Sequence, residues 1–466
     1  MFQELLGVAD LDAIHRTSMR LLESTGVNFP VEGALSFFKR HGIRVDGKRV
    51  YLAESQVMDA LKTAPRSFTI RARNPQRSVV VGGGEPVFAP GYGAPFLVDP
   101  EAGKRLPTME DYERLVKLAH VLPNQDMSGL VLVEPSDVPA ESAHLRMLYT
   151  HMTCSDKPFI GSTSGQAGAR QTMEMAGILF GAQVREEPVM ICLVNSLTPL
   201  GYSVEMLGAL LEYAGRRQPI IIAALAMAGS TAPVTLAGLL ALQNAELLAG
   251  VVLTQLVSPG TPVVYGSTST NIDMRTGALC IGSPELSEMI VAHAQLARFY
   301  GLPCRSGGAL TDASYPDAQA GFESMMGLLT AVNSGVDFVL HSAGILSAYL
   351  AFSYEKFVLD DEMCGMVRRL RRGFEVTPET LAYDVAAKVG PGGNYLMEDH
   401  TLAHCRTAFW QPAVCDRGGL DAWMKGGRED AVVRARERWQ RLLAGYREPE
   451  LDGIIKRQLQ EYVGLP

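Results

Sequence analysis

From Thr108 to about Ala351 the chain repeats one unit, a short apolar run followed by an amphipathic helical stretch. The runs are Ser128–Val133, Pro158–Gly161, Val189–Asn195, Pro219–Ala224, Pro262–Gly266, Pro303–Arg305, Val336–His341 and, as the eighth, Ile345–Ala351. Apolar period-3.6 segments lie between them at 141–152, 169–180, 204–214, 233–256, 285–300 and 319–334. Short apolar runs bounded by turn residues suit strands buried on both faces, which are parallel strands covered by helices. About eight such units over roughly 250 residues is the size of a (β/α)8 TIM barrel. A doubly wound sheet also alternates, but no GxGxxG follows a first strand, and Gly82-Gly83-Gly84 lacks the spacing.

Ahead of this region, residues 1–107 read as an N-terminal α+β extension. It has helices near 10–24, 32–40 and 54–64, and strands at 67–72, 78–81 and 96–98 beside the turn signals Asn74-Pro75 and Asp99-Pro100. Residues 108–353 form the barrel, and residues 354–466 a C-terminal helical region packed on it. The uncharged stretch from Ile220 to Ala245 is long enough for a membrane span. Its breaker cluster at Gly229–Pro233 divides it into a strand and a buried helix instead.

Composition narrows the function. With 42 Lys and Arg against 50 Asp and Glu the net charge is −8, the wrong sign for neutralising phosphates, so no nucleic-acid partner is expected. Seven cysteines without a CxxC pair suit a reducing compartment. An acidic start without an apolar h-region predicts a cytoplasmic protein, and no membrane partner is expected.

Catalytic side chains in a barrel cluster where strands end, so polar residues closing apolar runs are the candidates. Arg305 and His341 close two runs and together suit a small carboxylate. Asn195 closes a third. Tyr92 and Phe96, with Phe352, Tyr354 and Phe357 after the last run, fit either an aromatic cage for a quaternary ammonium or a packed interface. His400, His404, Cys405 and Cys415 lack the further ligand that a zinc centre needs, so no metal is expected. No Gly-x-Ser-x-Gly elbow stands out, which leaves no local case for a serine hydrolase.

Taken together, Gly307–Asp312, Pro316–Glu323, His341–Gly344 and Glu398–His404 resemble the trimethylamine methyltransferase family over most of the chain. The resemblance implies a barrel enzyme that moves a methyl group from an amine to the Co(I) form of a corrinoid (cobalamin) on a separate carrier protein. Founding members carry pyrrolysine. Every residue here is one of the standard twenty, which is similar to the non-pyrrolysine branch and implies glycine betaine or a related carboxylated betaine as substrate. The resemblance further implies that Arg305, His341 and Asn195 make the polar contacts to substrate while Tyr92 and Phe352 or Phe357 hold the ammonium. Small residues at Gly161, Ser162, Gly266, Ser267 and Gly308 would then admit the corrinoid, with Asp312 and Gln319 against its side amides. A homo-oligomer is expected. Two other readings stay open: a tertiary methylamine methyltransferase, and a non-catalytic betaine-binding or corrinoid-protein partner.

Overall fold

The computed structural model describes residues 2–100 and 103–465. Seven parallel strands form the central sheet in the spatial order Val87–Ala89, Phe338–Leu340, Cys304–Ser306, Val263–Ser267, Ile220–Ala224, Met190–Asn195 and Phe159–Gly161. Nearly every strand residue is buried, because helices cover the outer face and side chains fill the inner one. Segment 126–130 bonds to both outer strands: Asp126 N–H donates to Phe88 O at 2.9 Å, and Ile160 N–H donates to Gly129 O at 2.9 Å.

Several helices match the periodicity closely. Val204–Ala214 occupies the expected residues, Pro284–Tyr300 starts one residue early, and Ala318–Asn333 is shifted by one residue at each end. Leu236–Val257 is apolar and long enough to cross a membrane, yet 83% of its apolar window is buried inside the protein. Its polar residues are satisfied there. Glu246 accepts from the Ser196 and Thr198 hydroxyls and the Leu200 N–H, and Asn244 donates to Ser18 and Tyr300.

Two strand expectations are corrected. Ile345–Ala351 does not join the parallel sheet. Ser347, Ala348 and Tyr349 take positive φ (49°, 49°, 74°) and turn the chain back, so Ile345–Leu346 pairs antiparallel with Ala351–Phe352. That hairpin belongs to a separate four-stranded sheet with Phe96–Asp99 and Gly103–Arg105. The place beside Phe338–Leu340 goes instead to Val87–Ala89, an apolar run ahead of Thr108. Within Ser128–Val133, the ladder reduces to single bridges from Gly129 to Phe159 and from Val133 to Ala94. Gly129 has φ 85°, which interrupts extended backbone.

Candidate active site at the strand ends

Arg305 lies between Gly266 and Phe338 in the ladder, held by strand pairing on both sides. It is 2% exposed, its Nε has no hydrogen-bond partner, and no carboxylate pairs with it among the described residues. Burial lowers the guanidinium to about 10, opposed by Tyr349 and Cys304, so it stays charged at neutral pH. An unpaired buried cation is costly to the free protein. Its presence points to a ligand that brings the missing anion.

His341 follows strand Phe338–Leu340 with φ 62°, a left-handed conformation that directs the chain away from the sheet. Its ring is fixed from one side, where Nδ1 accepts the Tyr92 backbone N–H at 3.2 Å. Burial and the Arg305 charge hold the imidazole well below its ordinary value, so it is neutral. With Nδ1 accepting, the hydrogen of the neutral ring sits on Nε2, which becomes a donor.

A third group completes the set. The Tyr349 ring lies 4.8 Å from the His341 ring, and its buried hydroxyl faces Thr268 without a well-formed hydrogen bond. Three successive non-glycine residues with positive φ place it there, and each such residue costs about 1–2 kcal/mol. The turn is tied down by Ser347 N–H to Ala313 O (2.9 Å), Ala348 N–H to Thr311 O (3.2 Å) and the Ser347 and Ser314 hydroxyls (3.0 Å). Periodicity gives no sign of this residue, because it belongs to an irregular turn stabilised by a distant loop.

A cleft of about 250 Å³ adjoins this group across Tyr92 and brings together Tyr92, Ser162 and Asn195 with Thr163, Glu134 and His144. Burial raises the Tyr92 phenol to about 12, opposed by Thr163 close to its hydroxyl.

Other expected site residues have different surroundings. Phe352 and Phe357 are wholly buried and pack edge to face at 5.2 Å, with Phe352 filling the space beside Gly91 and Gly344. Tyr354 stacks on Trp439 at 4.9 Å and donates to the Asp111 carboxylate at 3.1 Å, so its ring and hydroxyl are already engaged. Gly161 and Gly266 sit inside strands, where a Cβ would come within 2.5 Å of the Tyr213 hydroxyl and 2.8 Å of Ile221. A Cβ on Gly308 would meet Val339 at 2.5 Å. These glycines answer to core packing. Ser267 donates to Gln243 at 2.8 Å. Asp312 accepts the N–H groups of Ile281 and Gly282, and Gln319 donates to Glu323 at 2.9 Å. Of the residues expected to meet a corrinoid, Ser162 alone lines the cleft.

His400 and His404 have ring centres 4.6 Å apart on the helix Asp399–His404, and Cys405 and Cys415 are exposed free thiols.

Comparison with known proteins adds a framework. The family model for trimethylamine methyltransferase (MTTB) matches residues 2–464. The chain is 50% identical over 452 residues to a glycine betaine methyltransferase of Desulfitobacterium hafniense (strain Y51), covering 97% of this chain and 94% of that protein. It is 34% identical to a proline betaine:corrinoid methyltransferase of Eubacterium limosum, covering 99% of this chain and 97% of the relative. Among solved structures, the Methanosarcina barkeri monomethylamine methyltransferase (MtmB) superposes with a TM-score of 0.53 at 14% identity, over 98% of this chain and 94% of that one. That likeness bears on the fold.

Proposed function

The chain belongs to the trimethylamine methyltransferase family, and from that premise we propose that it moves a methyl group from glycine betaine to the corrinoid of a separate carrier protein. The observation that carries the choice of a carboxylated amine is Arg305, a buried guanidinium without a protein anion. His341 Nε2–H and the Tyr349 hydroxyl, both within electrostatic reach of Arg305, are neutral donors in this reading. One cation and two neutral donors suit a single carboxylate. The pairing neutralises the buried charge and supplies partners for the unsatisfied atoms.

The leaving group explains the absence of an acid–base pair from this reading. A quaternary nitrogen has no lone pair and departs as a neutral tertiary amine when its methyl is attacked in line, so no residue has to protonate it. The methyl acceptor, Co(I) corrinoid on its carrier, supplies the nucleophile. This chain's residues hold the carboxylate, exclude water and orient the methyl, and rate comes from positioning. Tyr349, whose ring packs on His341, and Tyr92, which lines the neighbouring cleft, are the aromatic side chains that suit the ammonium in this reading. Asn195, across the cleft from Tyr92, is the further polar contact in this reading.

In the same reading the sheet is a closed (β/α)8 barrel, supported by the bonds of segment 126–130 to both outer strands. Its three regions are 1–107, 108–353 and 354–466, with Val87–Ala89 lent by the first. A cytoplasmic setting is supported by seven free cysteines.

The test is methylation of the reduced carrier corrinoid, followed by its absorption spectrum, with glycine betaine, proline betaine, choline and trimethylamine offered separately. Transfer from glycine betaine and none from trimethylamine is expected. Comparable transfer from trimethylamine overturns the quaternary-amine assignment. Tight betaine binding by calorimetry without transfer to any carrier favours a binding module.

A further inference from the structure

The helix Leu236–Val257 carries a single charged residue, Glu246, within an otherwise uncharged sequence. That side chain is wholly buried and has no cation beside it among the described residues. Burial raises its carboxyl above the ordinary value, and three donors oppose the shift. All three come from one short stretch of chain: the Ser196 hydroxyl at 2.6 Å, the Leu200 N–H at 2.7 Å and the Thr198 hydroxyl at 2.8 Å. The helix grips the same stretch once more, because the Tyr202 hydroxyl donates to the Glu246 carbonyl at 2.8 Å. An apolar residue is the cheaper occupant of such a position, so the use of the carboxylate lies in what it holds.

It holds the turn that leaves strand Met190–Asn195. Within the sheet Asn195 pairs with Ala223, Ala223 with Gly266, and Gly266 with Arg305. The four residues stand in one row across adjacent strands, so Asn195 and Arg305 share a face and a height, roughly 14 Å apart along the sheet. The half-buried Asn195 side chain has no hydrogen-bond partner among the described residues, and its direction is therefore set by the backbone on either side. Beyond Asn195 the chain bends at once. Leu197 N–H donates to Gly201 O at 2.8 Å, and the N-terminal extension adds Asn28 N–H to Leu200 O (2.9 Å) and receives Tyr202 N–H at Asn28 O (3.1 Å). Leu200 takes φ 53°, a conformation unfavourable for a bulky side chain, and its N–H is the one bonded to the Glu246 carboxylate.

We propose that Glu246 is a positioning residue for methyl transfer: by fastening residues 196–200 it aims Asn195 at the ammonium end of the substrate whose carboxylate Arg305 holds. An amide oxygen suits the electron-poor methyl groups of an ammonium, as a guanidinium suits a carboxylate, and the shared row sets the two at opposite ends of one small zwitterion. In-line attack on a methyl group depends on such orientation, which a free turn would not keep. The ligand in this inference rests on the proposed function, whereas the fastening of the turn does not. Glu246 itself touches no substrate, and its effect passes through Asn195.

The test is a double-mutant cycle in the full chain between Glu246→Leu and Asn195→Ala, read as kcat/KM for glycine betaine, with hydrogen exchange of residues 196–202 followed in parallel. Each single variant is expected to lose roughly tenfold, and the pair about as much as either alone, because the two residues act as one unit. Glu246→Gln should keep most of the activity, since its amide oxygen can accept the Leu200 N–H and its amide nitrogen can reach the two hydroxyls. In Glu246→Leu the amides of Leu197, Leu200 and Tyr202 should exchange about tenfold faster or more, while those of Ile220–Ala224 stay unchanged. Losses that multiply in the double variant overturn the proposal, because a general weakening of the fold produces them. A Glu246→Gln variant as impaired as Glu246→Leu overturns it too, by assigning the effect to charge instead of fastening. Should Glu246→Leu fail to fold, Ser196→Ala with Thr198→Val removes two of the three bonds from the turn's side and takes its place in the cycle. If the unaltered protein transfers no methyl from glycine betaine, the functional reading falls and the exchange data decide the fastening alone: faster exchange of the turn upholds it, unchanged exchange overturns it.

Discussion

Two Lys or Arg side chains are buried among the described residues, and they are held in opposite ways. Lys356, on the helix Tyr354–Arg372, is 1% exposed and fully engaged: Nζ bonds both oxygens of Asp360 and the Ser324 hydroxyl at 2.9 Å. Burial lowers the lysine and raises the aspartate, and the attraction between them opposes both shifts. Asp360 in turn accepts the Gly344 N–H at 2.8 Å, so the pair fastens the chain just after the His341 strand end. Arg305 is as deeply buried and has no anion among the described residues. The first cation completes its interactions within the fold, while the second leaves its Nε without a partner, which in the proposed reading is where the ligand binds. Burial alone therefore does not separate the two, and the missing partner is what the proposed reading rests on.

Breaking the internal pair should have the largest effect. Lys356→Ala leaves the Asp360 carboxylate buried without its cation and is expected to cost about 3–5 kcal/mol of stability, read by denaturant unfolding. Arg305→Ala should do the reverse. It removes an uncompensated charge, so unfolding stability is unchanged or slightly raised, while kcat/KM for glycine betaine falls by about 3 kcal/mol, roughly a hundredfold. Saturating glycine betaine should raise the Tm of the unaltered protein and leave that of Arg305→Ala unmoved. If Arg305→Ala destabilises as Lys356→Ala does and leaves kcat/KM intact, the contrast between the two cations is lost.

Smaller changes sharpen the comparison. Tyr349→Phe keeps the ring against His341 and removes the hydroxyl, for an expected loss of about 1 kcal/mol in kcat/KM, carried by KM. The pH profile tests the charge itself. Arg305 is protonated below about 10 and His341 is already neutral, so kcat/KM should show no fall from imidazole titration near neutrality. It should decline as pH rises through about 10, where the guanidinium loses its proton and the carboxylate loses its counter-charge. A fall centred on pH 6–7 assignable to His341 would contradict the neutral-donor role.

The strand-end rule reached Arg305 and His341 because each closes a run of apolar residues, and that run survives as a strand of the parallel sheet. The same reasoning missed Tyr349. Its run, Ile345–Ala351, reads as strand, but the positive φ values at 347–349 turn it into a hairpin, and those angles are held by bonds to Thr311 and Ala313. The expected cage aromatics show the complementary difficulty. Phe352 and Phe357 have the composition of a cage, yet they pack on each other in the core, and only their neighbours in space reveal this.

Periodicity by itself determined the alternation of strands and helices, the buried rather than membrane-spanning character of Leu236–Val257, and the two strand ends bearing Arg305 and His341. These depend on neighbours along the chain, where side-chain spacing and backbone preference act. Tertiary structure decided that Val87–Ala89 lies beside Phe338–Leu340, that Lys356 finds an anion while Arg305 finds none among the described residues, and that Tyr349 packs against His341. Those outcomes depend on which groups meet after the chain has closed, across separations of up to about 250 residues. A pattern of single residues contains no record of whether a buried charge will be answered.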